Sequence, residues 1–284
     1  MNRTKYNKLY KEILKNEDKP ISSYDELIDF LKEMKSVKPK TNNEIKNEKR
    51  KTECYALSCG MLALALENRD DETNEDLKHY ITVYQTLFTN ISNDCLSIIN
   101  MIDNGFEFQA RILSRNLFEL IYTLLVVIIN KDKCRKYFEA GAENGYEIWN
   151  KYFRVSKLNE ELYDYEKQED IELAKMMVNI RKKTYSEYSS YAHNDFIYCF
   201  IGCHSTDRKT EFTNYNLWGN YNFNAISILK SVNELLWMMF LYLENMISKK
   251  GIFEKSLFIS EDNHKYWNDA FLIAYMLDEY KQIE

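Results

Sequence analysis

An all-α fold is what this sequence predicts, and three observations predict it. Among 284 residues there are only seven glycines and two prolines, Pro20 and Pro39, so turn punctuation is sparse. Apolar residues recur at helical spacing over long stretches, as in Ile81, Tyr84, Leu87, Phe88, Ile91, Cys95, Ile98 and Ile99. No stretch alternates apolar and polar residues long enough to make a trustworthy strand, and there is no internal repeat or low-complexity tract. The expected architecture is an antiparallel helical bundle over residues 73–250. An N-terminal helical arm at 1–72 and a C-terminal helical extension at 251–284 complete it, the extension packed on the bundle.

Each element follows from local chemistry. Ser23-Tyr-Asp-Glu26 is a capping box that opens an amphipathic helix with Leu27, Phe30, Leu31 and Met34 on its apolar face. A polar linker, Ser36 to Asn43, precedes a helix from about Glu44 through Leu66, whose mixed-charge run Glu44–Glu53 reads as a solvated face. The next helix, about 76–103, ends at Asp103-Asn-Gly105, where the glycine suits the left-handed residue after a helix. Further helices are expected at about 106–130, 132–155 and 158–194. A polar loop from Gly202 to Thr213 leads to an apolar helix at about 221–248, and a last helix spans Asn268 to Leu277.

Composition bounds the function. With 45% hydrophobic and 29% charged residues, the chain buries a real core and is not disordered. Its formal net charge of −6 excludes a broad DNA-binding surface, though not a small phosphate site. The longest uninterrupted apolar runs, Leu120–Ile129 and Leu235–Leu243, fall short of the roughly 18 residues of a span, so core helices and no membrane contact are expected. The polar N-terminus and six scattered cysteines predict a cytoplasmic protein with reduced thiols. Cys199, Cys203 and His204, with His193 upstream, have too loose a spacing for a zinc site, so neither a metal nor a cofactor is expected. His79 and His264 read as ordinary helix residues, and the aromatic segment Phe212–Phe223 as packing or a pocket mouth.

Two polar rows carry the functional reading. Arg115 and Glu119 sit one turn apart where their helix turns almost wholly apolar, and Phe108, Ile112, Phe118 and Tyr122 share that half-buried face. Arg111, a turn nearer Gly105, is expected to be more exposed. Roughly 70 residues later Tyr185, Ser189 and His193 make a polar row beside the stripe Leu173, Met177, Ile180, Thr184, Tyr188 and Tyr191. Charge set against an apolar run is costly without a partner, so the two rows are expected to meet. The first reading is a structural lock that fixes how the helices pack. The second is a site in which the Arg115 fork holds a small anion or an RNA phosphate, with Arg111, Tyr185 and Ser189 as binding groups. His193 would then be the general acid or base, and Glu119 would orient one of the two. The partner is otherwise unknown, and homo-oligomer formation is left open.

The stretch Asn104-Gly-Phe-Glu-Phe-Gln-Ala-Arg-Ile-Leu-Ser-Arg-Asn-Leu-Phe-Glu-Leu120, followed by Tyr185-Ser-Glu-Tyr-Ser-Ser-Tyr-Ala-His193, resembles an uncharacterised bacterial all-helical family, domain-of-unknown-function family 5677. The matching positions are Gly105, Ala110, Arg115, Glu119, Tyr185, Ser189 and His193, within a resemblance that covers roughly residues 80–245. It implies a helical fold and no settled activity. A remoter similarity is to HEPN-type helical domains, many of them metal-independent ribonucleases of toxin and phage-defence systems, which set an Arg and a His four to six residues apart on one helix. Here the nearest upstream arginine, Arg181, lies twelve residues before His193, so Arg115 would have to serve from another helix. The functional expectation is a non-catalytic interaction or defence-associated module. The alternative is a ribonuclease-like enzyme that uses Arg115 and His193.

Overall fold

A computed structural model describes residues 3, 4, 8, 25, 26, 28, 29, 32, 42–66, 75–141, 143–193, 204–206, 213–215, 224–249 and 263–279. Its helices are α1 (Asn43–Ala65), α2 (Glu75–Asp103), α3 (Glu107–Ile129), α4 (Lys131–Phe138), a single turn α5 (Gly145–Ile148), α6 (Val155–Glu166), α7 (Ile171–Ala192), α8 (Asn224–Glu244) and α9 (His264–Glu279). The fold is all-α. One departure is a short antiparallel ribbon, His204–Thr206 paired with Thr213–Tyr215, which spans the stretch expected to be loop and the start of the aromatic segment. The capping box at Ser23, the polar linker, Cys199, Cys203 and the aromatic segment from Phe212 fall wholly or mainly outside the described residues.

Side-chain contacts fix the directions. Lys49 meets Asp103, Ser92 meets the Ala56 carbonyl and Gln85 meets the Leu66 carbonyl, so α1 and α2 are antiparallel. Asn116 bonds Asp94 and Tyr84 reaches the Val127 carbonyl, so α2 and α3 are antiparallel as well. α3 lies at the centre, in contact with α2, α4, α6, α7 and α8. It is a 23-residue helix in which every residue from Ile121 to Ile128 is buried. A helix apolar on all sides must be surrounded on all sides, and the neighbours supply that. By length and composition α3 and the stretch Ala225–Ile247 are both apolar enough to cross a membrane. In each, half or more of the most apolar window is buried inside the bundle. Uninterrupted apolar runs understate this length, because each helix carries polar residues between its apolar ones.

Three further expectations are corrected. First, α1 is no peripheral arm. Tyr55, Cys59 and Leu62 are core residues, and α1 packs on α2, α8 and α9. Asn233 of α8 anchors it, donating to the Glu48 carbonyl (3.0 Å) and carboxylate (2.8 Å) while accepting from Thr52 Oγ1 at 2.8 Å. The run Glu44–Glu53 therefore has one buried edge, at Glu48 and Thr52. Second, the helix expected over 132–155 ends at Phe138, and a π-helical turn at Trp149–Phe153 precedes α6. Gly141 and Gly145 bracket that break. Third, the helix expected over 158–194 is two helices. Asp170 Oδ1 accepts from the backbone N–H groups of Glu172 (2.7 Å) and Leu173 (3.1 Å), an N-cap that starts α7 afresh.

Candidate functional site

The two polar rows do touch, at one point. α3 and α7 pack antiparallel, and Arg115 Nη2 donates to Tyr185 Oη at 2.9 Å while its Nε donates to Glu119 Oε1 at 3.1 Å. The guanidinium also lies over the Tyr185 ring, 5.2 Å from its centroid. Arg115 and Glu119 side chains are each 22% exposed, a half-buried pair. Beneath them Phe118 packs on Tyr122, Tyr185 and Tyr188 at centroid distances of 4.4, 5.8 and 6.4 Å. Tyr188 in turn shares a hydroxyl–hydroxyl bond with Ser231 of α8. The surface between α3 and α7 is thus an aromatic sheet with a charged group at each edge.

The remaining expected residues scatter. His193 is exposed and stands just past Ala192, the last residue of α7, its backbone N–H closing onto the Ser189 carbonyl at 2.9 Å. Among the described residues no hydrogen bond or ion pair joins its imidazole to Arg115 or Glu119. The reason is the helix period. Each step of four residues overshoots a full turn by about 40°, so two steps carry His193 roughly 80° around from Tyr185. Ser189 points inward, and its Oγ is buried without a hydrogen-bond partner among the described residues. Arg111 is buried, not exposed as expected, because the far half of α7 covers it and brings Glu187 to 3.6 Å.

A more deeply buried charge cluster lies one layer further along the same surface, and the sequence reading passed over it. Arg181 of α7 is wholly buried. Its Nη1 and Nη2 grip both oxygens of Glu166, the second at 2.9 Å, and its Nε donates to Asn159 Oδ1 at 2.7 Å. Tyr242 of α8 donates to the same carboxylate. The Tyr122 ring lies beneath the guanidinium, 5.9 Å from it. Burial disfavours the charge on Arg181, but hydrogen bonding and attraction from Glu166 outweigh it and hold the group above its ordinary range. Burial and the Glu166 charge push the Tyr242 phenol upward too. One signal was legible. Arg181 stands seven residues from both Ala174 and Tyr188, which places it on the buried face, whereas Lys182 and Lys183 beside it face water.

Chemically the two clusters differ. The Arg181 group is closed: its carboxylate is met by a bidentate arginine and a phenol, and four elements are tied at once. The Arg115 pair retains contact with solvent, and Glu119 and Tyr185 take two of the five guanidinium N–H donors. Among the described residues no group of three or more His, Cys, Asp and Glu side chains is arranged to hold a metal ion. Grooves open elsewhere, one of about 460 Å³ between α8 and α9 lined by Phe240, Trp267, Phe271 and Tyr275, another of about 540 Å³ between α1 and α9. Comparison of the chain with protein-family models, with curated proteins and with solved structures finds no match.

Proposed function

We propose that this chain is a non-catalytic helical interaction module in which Arg115, Glu119 and Tyr185 lock α3 to α7. The observation that carries this reading is the engagement of the Arg115 guanidinium from two sides, by carboxylate and phenol, with the imidazole of His193 exposed beyond the helix end. A phosphodiester-cleaving site needs the proton-transfer group within reach of the anion-holding group, and helix geometry turns His193 away from that position. The thiols of Cys59, Cys95 and Cys134, free and buried, are in keeping with a cytoplasmic setting.

Two variants test it. Arg115→Ala should lower stability by about 1–2 kcal/mol, the worth of a half-buried charge-assisted pair. His193→Ala should stay within about 0.5 kcal/mol of the parent, as exposed positions do. Thermal melting reads both, and incubation with single-stranded RNA reads activity. Cleavage by the parent protein that both substitutions abolish, with melting unchanged, would replace this reading with the ribonuclease one.

A further inference from the structure

The groove of about 540 Å³ between α1 and α9 has two unlike walls. Its volume falls in the range of small-molecule sites, about 300–1,000 Å³. α9 supplies Ile273, Met276 and Leu277, at the i, i+3, i+4 spacing of one helix face. α1 supplies Asn47, Arg50, Lys51 and Cys54, a row two turns long. One wall is therefore aliphatic, and the other is cationic and hydrogen-bonding. Met276 is 51% exposed, so the aliphatic wall is open to water.

The cationic wall carries one uncompensated charge. Lys51 is paired at 3.0 Å with Glu48, a buried carboxylate that Asn233 also holds, and the two charges offset each other. The Arg50 guanidinium is exposed, and among the described residues no hydrogen bond or ion pair engages it. No described carboxylate lines the groove. A planar guanidinium meets a carboxylate through two parallel N–H bonds. One positive charge matches such a monovalent head, whereas a phosphate monoester carries about −1.5 to −2 at neutral pH. We propose that this groove binds an alkyl carboxylate, the head on Arg50 with Asn47 beside it and the chain along Ile273, Met276 and Leu277. The site belongs to α1 and α9, so it stands apart from the role assigned to the Arg115 cluster of α3 and α7.

Titration calorimetry of the full chain with decanoate, kept below micelle formation, tests this together with alkylation of Cys54 followed by peptide mass spectrometry. Cys54 lines the groove and is only partly buried, so a bound chain should slow its labelling at least about fivefold at saturation. Arg50→Glu should raise the dissociation constant at least about tenfold, and Arg50→Lys by less, since lysine keeps the charge and loses the fork. Met276→Asp, which sets a negative group on the aliphatic wall, should weaken binding by about tenfold as well. Circular dichroism confirms that each variant folds. Decyltrimethylammonium should neither bind nor protect Cys54. A parent protein that shows no saturable binding up to about 1 mM decanoate overturns the proposal. So do saturation that leaves Cys54 unprotected, an Arg50→Glu variant that binds as the parent does, a cationic chain that protects equally well, and decyl phosphate bound more tightly than decanoate.

Discussion

Arg181→Ala is expected to cost the fold about 3–5 kcal/mol, because it strands the Glu166 carboxylate in the interior without its counter-charge. Glu166 is 5% exposed, and once the guanidinium is gone only Tyr242 among the described residues still donates to it. The loss should extend beyond the pair, since Arg181 holds Asn159 of α6 and lies on Tyr122 of α3. Urea titration followed by circular dichroism measures it as a lower midpoint at unchanged slope. Removal of both charges at once is the control. Arg181→Met with Glu166→Leu should recover most of the lost stability, because a buried ion pair gives little more than an apolar pair of similar volume. A double variant as unstable as Arg181→Ala would show that the geometry of the pair, and not the stranded carboxylate, carries the cost.

Phe118→Ala is expected to cost a similar amount, about 3–5 kcal/mol, by a different route. Its ring is 1% exposed and packs on Tyr122, Tyr185 and Tyr188, so truncation opens a cavity in the middle of the α3–α7 surface. Tyr185 then loses its backing and with it the fixed position from which its hydroxyl meets Arg115. Phe118→Ala and Arg115→Ala should therefore combine to less than the sum of their separate effects, as residues that share a partner do. Midpoints for the two single variants and the double variant close the cycle. Additivity within about 0.3 kcal/mol would mean that the aromatic layer and the charged edge act independently.

Most of the architecture was legible because helical periodicity survives tertiary context. The pattern Ile81, Tyr84, Leu87, Phe88 and Ile91 is buried throughout α2. Where the reading failed, it failed on phase and on boundaries. Asp170 sits in the polar run Lys167-Gln-Glu-Asp170, which reads equally well as an exposed helix face or as a break, and only its cap bonds decide between them. Leu173 and Ile180 read as one stripe with Tyr188, yet both are exposed while Tyr188 is buried. The buried phase of α7 is instead set by Ala174, small enough for close approach, and by Arg181, which its hydrophilic character hid. At the candidate site the contact between Arg115 and Tyr185 followed from two faces that each needed a partner. The place of His193 did not follow, since an i, i+4, i+8 row drifts around the helix and leaves the surface on which it began. Arg111 shows the converse: its burial depends on which residues of a distant helix lie above it, and nothing within α3 specifies that.

Cys59 and Cys95, at the heart of the α1–α2 contact, are fully buried, and burial pushes both thiols well above their ordinary range. Sulfur reacts as thiolate, so an alkylating reagent finds almost nothing to attack while the two helices stay closed. Cys54, little more than a turn away on α1, is only partly buried and open to the reagent. The rate at which the inner pair is labelled, set against that of Cys54, is thus a measure of how often this part of the molecule opens.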